Sequence, residues 1–121
     1  MASGPETRLV KKMREIARQM YGPRLVIIKY HGSEFSEAGV SDLLCCLDGV
    51  FVAAEVKAPE SYGGSVQAAI EQGATLKQRA FLRRVIGAGG VCGIVASVDG
   101  FLDLLKRAET QATERDDKDM S

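Results

Sequence analysis

Apolar positions change period several times along the chain. From residue 5 to residue 21, Leu9, Val10, Met13, Ile16, Ala17 and Met20 recur at i, i+3, i+4 and i+7, which predicts an amphipathic helix stopped by Gly22-Pro23. Residues 25–30 are rich in β-branched and aromatic side chains and read as a strand. Residues 31–39 are polar and flexible. Residues 40–47 and 50–57 flank Asp48-Gly49, a strong short hairpin signal, and read as two more strands. Residues 58–74 form a long loop holding Pro59, Gly63, Gly64 and Gly73, with a helical turn around residues 66–70. A loop of that length in a small domain is usually functional or mobile. A second helix spans residues 75–88, capped by Thr75 and stopped by Gly89-Gly90. A buried strand at 91–98 and a closing helix at 101–108 complete the order αβββαβα, an α/β fold without repeats or an internal linker.

Composition narrows the class. The 121 residues suit one domain, and no apolar run approaches the length of a membrane span. The basic N-terminus leads into an amphipathic stretch rather than the apolar core of a signal peptide. Three cysteines, two of them adjacent (Cys45 and Cys46), make a poor disulfide framework, and no CxxC or Cys/His cluster suggests zinc. The expectation is a reduced, cytoplasmic protein. Cys45 and Cys46 alternate across a strand, so one of them belongs to the core. Lone His31, in the polar segment after the first strand, reads as an exposed loop residue.

Formal net charge is zero, which at first argues against nucleic acid, but the charges are not spread evenly. Residues 1–30 carry seven basic groups against two acidic ones, and residues 109–121 carry five acidic groups against two basic. The latter stretch lacks apolar periodicity and reads as an acidic, disordered tail after a folded body of residues 1–108.

The hairpin carries the first chemical signal. A two-residue turn at Asp48-Gly49 sets Leu47 opposite Val50 and therefore Asp42 opposite Glu55. Directly opposed residues have Cβ atoms roughly 4.5–5.5 Å apart, where like charges repel. Strand alternation puts Glu55 and Lys57 on one face and Val52, Ala54 and Val56 on the other. Asp42, Glu55 and Lys57 thus converge on one side of an otherwise apolar hairpin. Such burial is costly unless a cation compensates it, and a hard ion with oxygen ligands, Mg²⁺ or Mn²⁺, suits two carboxylates. The plainer alternative is an ordinary sheet with a surface Glu–Lys pair.

Both helices add candidates. Gln78 sits on or beside the apolar face of its helix, either hydrogen-bonding a loop or serving a site. Lys77, Arg79, Arg83 and Arg84 share that helix with no acid among them, suiting either solvent or a phosphate backbone. In the first helix Glu15 belongs to the polar face. Glu6 points to the core side, where it either joins the site or closes a capping box on Ser3.

Gly39-Val40-Ser41-Asp42-Leu43-Leu44, then Gly49-x-Phe51-x-x-x-Glu55-Val56-Lys57-Ala58-Pro59, Thr75-x-x-Gln78 and Ala88-Gly89-Gly90 resemble the VRR-NUC family of PD-(D/E)XK nucleases. The resemblance spans about residues 6 to 105. It implies an αβββαβ restriction-endonuclease-like core, a central mixed sheet flanked by helices. The family's aspartate falls on Asp42, its second carboxylate on Glu55, its lysine on Lys57, its helix glutamine on Gln78 and its N-terminal acid on Glu6. Ser41 stands where the family usually has Pro, and the loop at residues 58–74 is longer than in many relatives.

The implied activity is hydrolysis of DNA phosphodiesters with Mg²⁺ or Mn²⁺. Asp42, Glu55, Glu6 and the Val56 carbonyl are the implied metal ligands, with Lys57 and Gln78 completing the catalytic set. Lys11, Lys29, Lys77 and Arg79 are the candidates for holding the DNA backbone. Stand-alone relatives in phages and bacteria act as homodimers on branched DNA, including Holliday junctions. The alternatives are a monomeric flap or single-strand nuclease, or a non-catalytic nucleic-acid-binding module with the same fold. The neutral total then reads as a basic body offset by an acidic site and tail.

Overall fold

The computed structural model describes residues 4–34 and 36–120. Helix α1 (Pro5–Tyr21) leads through one 3-10 turn into strand β1 (Leu25–Lys29). Strands β2 (Leu43–Leu47) and β3 (Val50–Val56) follow, then a 3-10 turn (Pro59–Tyr62), α2 (Val66–Gln72), α3 (Leu76–Gly87), β4 (Val91–Val95) and α4 (Val98–Asp119). The sheet runs in the order β1-β2-β3-β4. Its first two pairings are antiparallel and β3 pairs with β4 in parallel, the crossover between them being made by α2 and α3.

The two faces of the sheet are covered unequally. On one, α1 and α4 enclose the main core, where Met13, Leu43, Leu47, Phe101 and Leu105 are fully buried. Each such side chain contributes about 1.5–3 kcal/mol by leaving water. On the other, α3 lays Leu82 and Val85 over Ala53 and Cys92, leaving Val26 and Ile28 on edge strand β1 exposed. β3 is therefore covered on both faces, and six of its seven residues are buried.

The hairpin has the register expected from its turn. Asp48 and Gly49 both have positive φ, 52° and 84°, and Leu47 pairs with Val50 and Leu43 with Ala54. β2 starts at Leu43 rather than at residue 40, because the preceding backbone turns toward α3. The 58–74 segment is not a plain loop: it holds a 3-10 turn and the seven-residue α2, capped by Ser65.

The expected disordered tail is corrected. α4 begins at Val98, with the Ser97 hydroxyl accepting the Gly100 amide at 3.0 Å, and continues as one helix to Asp119. Ala112 is buried in the main core, Arg115 donates to the Asp48 carbonyl at 3.0 Å, and Arg24 bonds both Asp48 and Glu109. Tertiary anchors thus extend a helix whose outer faces are polar and largely charged. The Ser3 capping box lies outside the described residues; the N-cap of α1 is Gly4, with no side-chain cap.

Candidate active site

Asp42 sits one residue before β2 and joins three strands. Its main-chain carbonyl accepts the Tyr30 amide just past β1 at 2.8 Å. Its Oδ2 accepts the Val56 amide in β3, also at 2.8 Å. The approach to Asp42 is pinned to α3: Gly39 has φ 82°, and a Cβ there would lie 2.3 Å from the Lys77 carbonyl oxygen. Only glycine fits both the conformation and the space. Glu37 adds an ion pair with Arg84 on the same helix.

Glu55 is 1% exposed. Its Oε1 lies 3.5 Å from Lys57 Nζ, while its Oε2 is buried with no hydrogen-bond partner. Burial raises its pKa to about 8; the Asp42 carboxylate pushes the same way and Lys57 opposes both. Lys57 is the ion-pair partner of Glu55, and the Asp42 carboxylate acts on the same buried group, so the cluster calls for a proton or a further cation. Lys57 follows β3, and its amide donates to the Val95 carbonyl at 3.0 Å, extending the parallel ladder toward α4. Asp42, Glu55 and Lys57 therefore converge as the register requires.

The remaining candidates divide. Glu6 lies near enough for Asp42 to raise its pKa, after burial and against Lys57 and Lys29. Among the described residues no three His, Cys, Asp or Glu side chains form a ready-made group for a metal. Gln78 makes a capping box at the start of α3. Its Oε1 accepts the Thr75 amide at 2.8 Å, and the Thr75 hydroxyl accepts the Gln78 amide at 3.1 Å. The glutamine is thus held by its helix end and makes no hydrogen bond to Lys57. Val56 ends β3, its amide on Asp42.

Among the basic candidates, Lys11 and Lys77 are exposed. Lys29 is half-buried at the end of β1 and acts on Glu6. Arg79 instead donates Nη2 to the Glu71 carbonyl at 2.8 Å, at the end of α2. His31 is exposed, and of the adjacent cysteines Cys45 is buried and Cys46 exposed. Sequence reasoning missed Gly73, whose missing side chain leaves room for the Lys57 stem. The glycine was visible in the sequence, but its neighbour was not.

A mixed four-stranded sheet with helices on both faces, an antiparallel hairpin bearing an Asp/Glu/Lys cluster and a parallel crossover define the class as α/β with a restriction-endonuclease-like core. A solved structure described as a VRR_NUC domain has the same fold, with a TM-score of 0.61, 22% sequence identity, and coverage of 86% of this chain and 97% of that one. No protein-family model matches the chain, and no curated protein does.

Proposed function

We propose that this protein is a divalent-metal-dependent nuclease that hydrolyses phosphodiester bonds in DNA. The observation that carries the reading is the burial of Glu55 against the Asp42 carboxylate, its Oε2 having no N–H or O–H donor of another residue. A structural ion pair would match each carboxylate with a cation, whereas here Lys57 pairs with Glu55 and the closeness of Asp42 is balanced by a proton on Glu55, whose place a divalent cation can take. Two carboxylates with the Val56 carbonyl suit Mg²⁺ or Mn²⁺, which commonly keeps water and substrate oxygens as its other ligands. Glu6, which feels the charges of both Asp42 and Lys57, is the further ligand we propose for that ion. The fold shared with the VRR_NUC domain structure supports the same reading.

Bound there, the ion supplies Lewis acidity and makes water a better nucleophile. The chain's own residues do the rest. Asp42 provides a carboxylate held by the Val56 amide, and Glu55 provides a second once a bound cation displaces its proton. Lys57 offers its ammonium to the phosphate oxygen on which charge accumulates. Lys11, Lys29 and Lys77 hold the DNA backbone without reading bases.

Branched DNA, such as a Holliday junction, is the substrate class we propose, with a homodimer as the working form. Two symmetric cuts call for two symmetric sites, and the exposed Val26 and Ile28 on edge strand β1 offer a second copy an apolar surface, at 62% and 52% exposure. The test is cleavage of matched four-way, flap, single-stranded and linear duplex DNAs in Mg²⁺, Mn²⁺ and EDTA, with molecular mass measured in solution. Cleavage of the four-way substrate that needs metal and is lost in Lys57→Ala is the expected result. Absence of metal-dependent cleavage on every substrate overturns the proposal.

A further inference from the structure

We infer that the turn at Gly73, braced by Arg79, sets where the Lys57 ammonium stands, making Gly73 and Arg79 positioning residues for the hydrolysis proposed above, on which reading the inference rests. Lysine carries its charge on a flexible four-carbon stem and loses much rotamer entropy when held in one place. Something must therefore narrow its choices before the ammonium can serve one phosphate oxygen. At the charged end, Nζ lies 3.5 Å from Glu55 Oε1, and the side chain is 13% exposed. Along the stem the wall is the end of α2.

Gly73 closes that helix with φ −75° and ψ −33°, a conformation open to any residue. Glycine is required by space instead. A Cβ at this position would lie 2.7 Å from Lys57 Cγ, 3.0 Å from Lys57 Cδ and 2.5 Å from the Ala69 carbonyl oxygen. A methyl group would thus displace either the last turn of α2 or the lysine stem. The turn is itself held from the next helix, because Arg79 Nη2 donates to the Glu71 carbonyl at 2.8 Å. Only residues 73–75 separate α2 from α3, and Thr75 is locked by its capping box with Gln78. The chain from Glu71 to Arg79 is therefore a closed brace lying on Lys57. In this role Arg79 acts through the lysine, whereas a phosphate contact would act on DNA affinity.

The test uses Gly73→Ala, Arg79→Gln and Arg79→Lys in the full chain, with two readouts. One is the rate at which succinimidyl acetate acylates Lys57, followed by peptide mass spectrometry with exposed Lys77 as internal reference. The other is steady-state cleavage of the DNA substrate at several salt concentrations. We expect Lys57 acylation to rise at least threefold relative to Lys77 in Gly73→Ala and Arg79→Gln. We expect kcat to fall about 10- to 100-fold, the scale of a misplacement near 1 Å, with KM and its salt dependence unchanged, and Arg79→Lys to recover part of the loss. Unchanged acylation in folded Arg79→Gln overturns the inference even if Gly73→Ala does not fold. A raised KM with unchanged kcat also overturns it and returns Arg79 to phosphate binding. If the wild-type protein cleaves no DNA, the nuclease reading fails, and the acylation rates alone decide whether the brace holds Lys57.

Discussion

The Val56 amide donates to the Asp42 carboxylate at 2.8 Å, so the residue next to buried Glu55 in β3 is hydrogen-bonded to the second acid of the cluster. This bond does two jobs. It continues the contact between β2 and β3 past the last ladder pair, and it fixes one carboxylate oxygen beside the other acid. An acceptor is needed for the first job and a charge for the second.

The two can be separated. Asp42→Asn keeps an oxygen for the Val56 amide and removes the charge. Cleavage should fall by about 10²-fold or more, while the urea midpoint holds or rises as repulsion with Glu55 is relieved. Asp42→Ala should lose cleavage equally and also cost about 1–3 kcal/mol, because the Val56 amide is left without its partner. Equal cleavage by wild type and Asp42→Asn would remove Asp42 from the site.

The metal-free protein should depend on pH through Glu55. Its pKa, raised from 4.5 to about 8 by burial and by Asp42, means the folded state holds the proton more tightly than the unfolded chain does. The associated stability is complete below the unfolded value and is lost as pH rises through the folded one. In EDTA, the Tm of wild type should therefore drop relative to Glu55→Gln between about pH 5 and about pH 8. Mn²⁺ should reverse the drop in wild type only. A Tm difference that stays constant over that range contradicts the assignment.

The thiols should react in a set order. Cys46 is exposed, while Cys45 is buried with its thiol pushed up to about 12, chiefly by desolvation. Cys92 is buried as well, its Sγ–H donating to the Leu82 carbonyl at 3.2 Å. A disulfide reagent should titrate one thiol per native chain and three after denaturation. More than one fast thiol in the native protein would show the sheet to be more open than described.

Removing residues 109–121 should weaken the fold. The truncation deletes buried Ala112, the Arg24–Glu109 ion pair and the Arg115 bond to the Asp48 carbonyl. We expect a loss of about 1–3 kcal/mol in urea unfolding. A frayed tail would leave the midpoint where it was.

Much of this molecule could be read without coordinates. α1 spans the residues its apolar period predicts, and Asp48-Gly49 forms the predicted turn, because both depend on contacts a few residues apart. That local register was enough to bring Asp42, Glu55 and Lys57 together. Gln78 was harder. Its spacing flagged it, but Thr75-x-x-Gln78 is also a capping box, and the helix end takes up the side chain's oxygen. The C-terminal half of α4 is hidden from the sequence pattern for a related reason. Its charges carry no apolar stripe, and its few anchors, Arg24, Asp48 and Gly89, lie far away in sequence.

Local pattern therefore determined the element order, the hairpin and the acidic pair, since each follows from backbone geometry over a handful of residues. Tertiary packing decided how deeply that pair is buried. Glu55 loses water because α3 closes one face of β3 and β4 aligns along its edge, and that parallel pairing requires a crossover that no local spacing encodes. The same closure lays Gly73 on Lys57 and brings the α4 helix to the hairpin turn. Desolvation by distant segments of the chain makes two nearby acids a site short of positive charge.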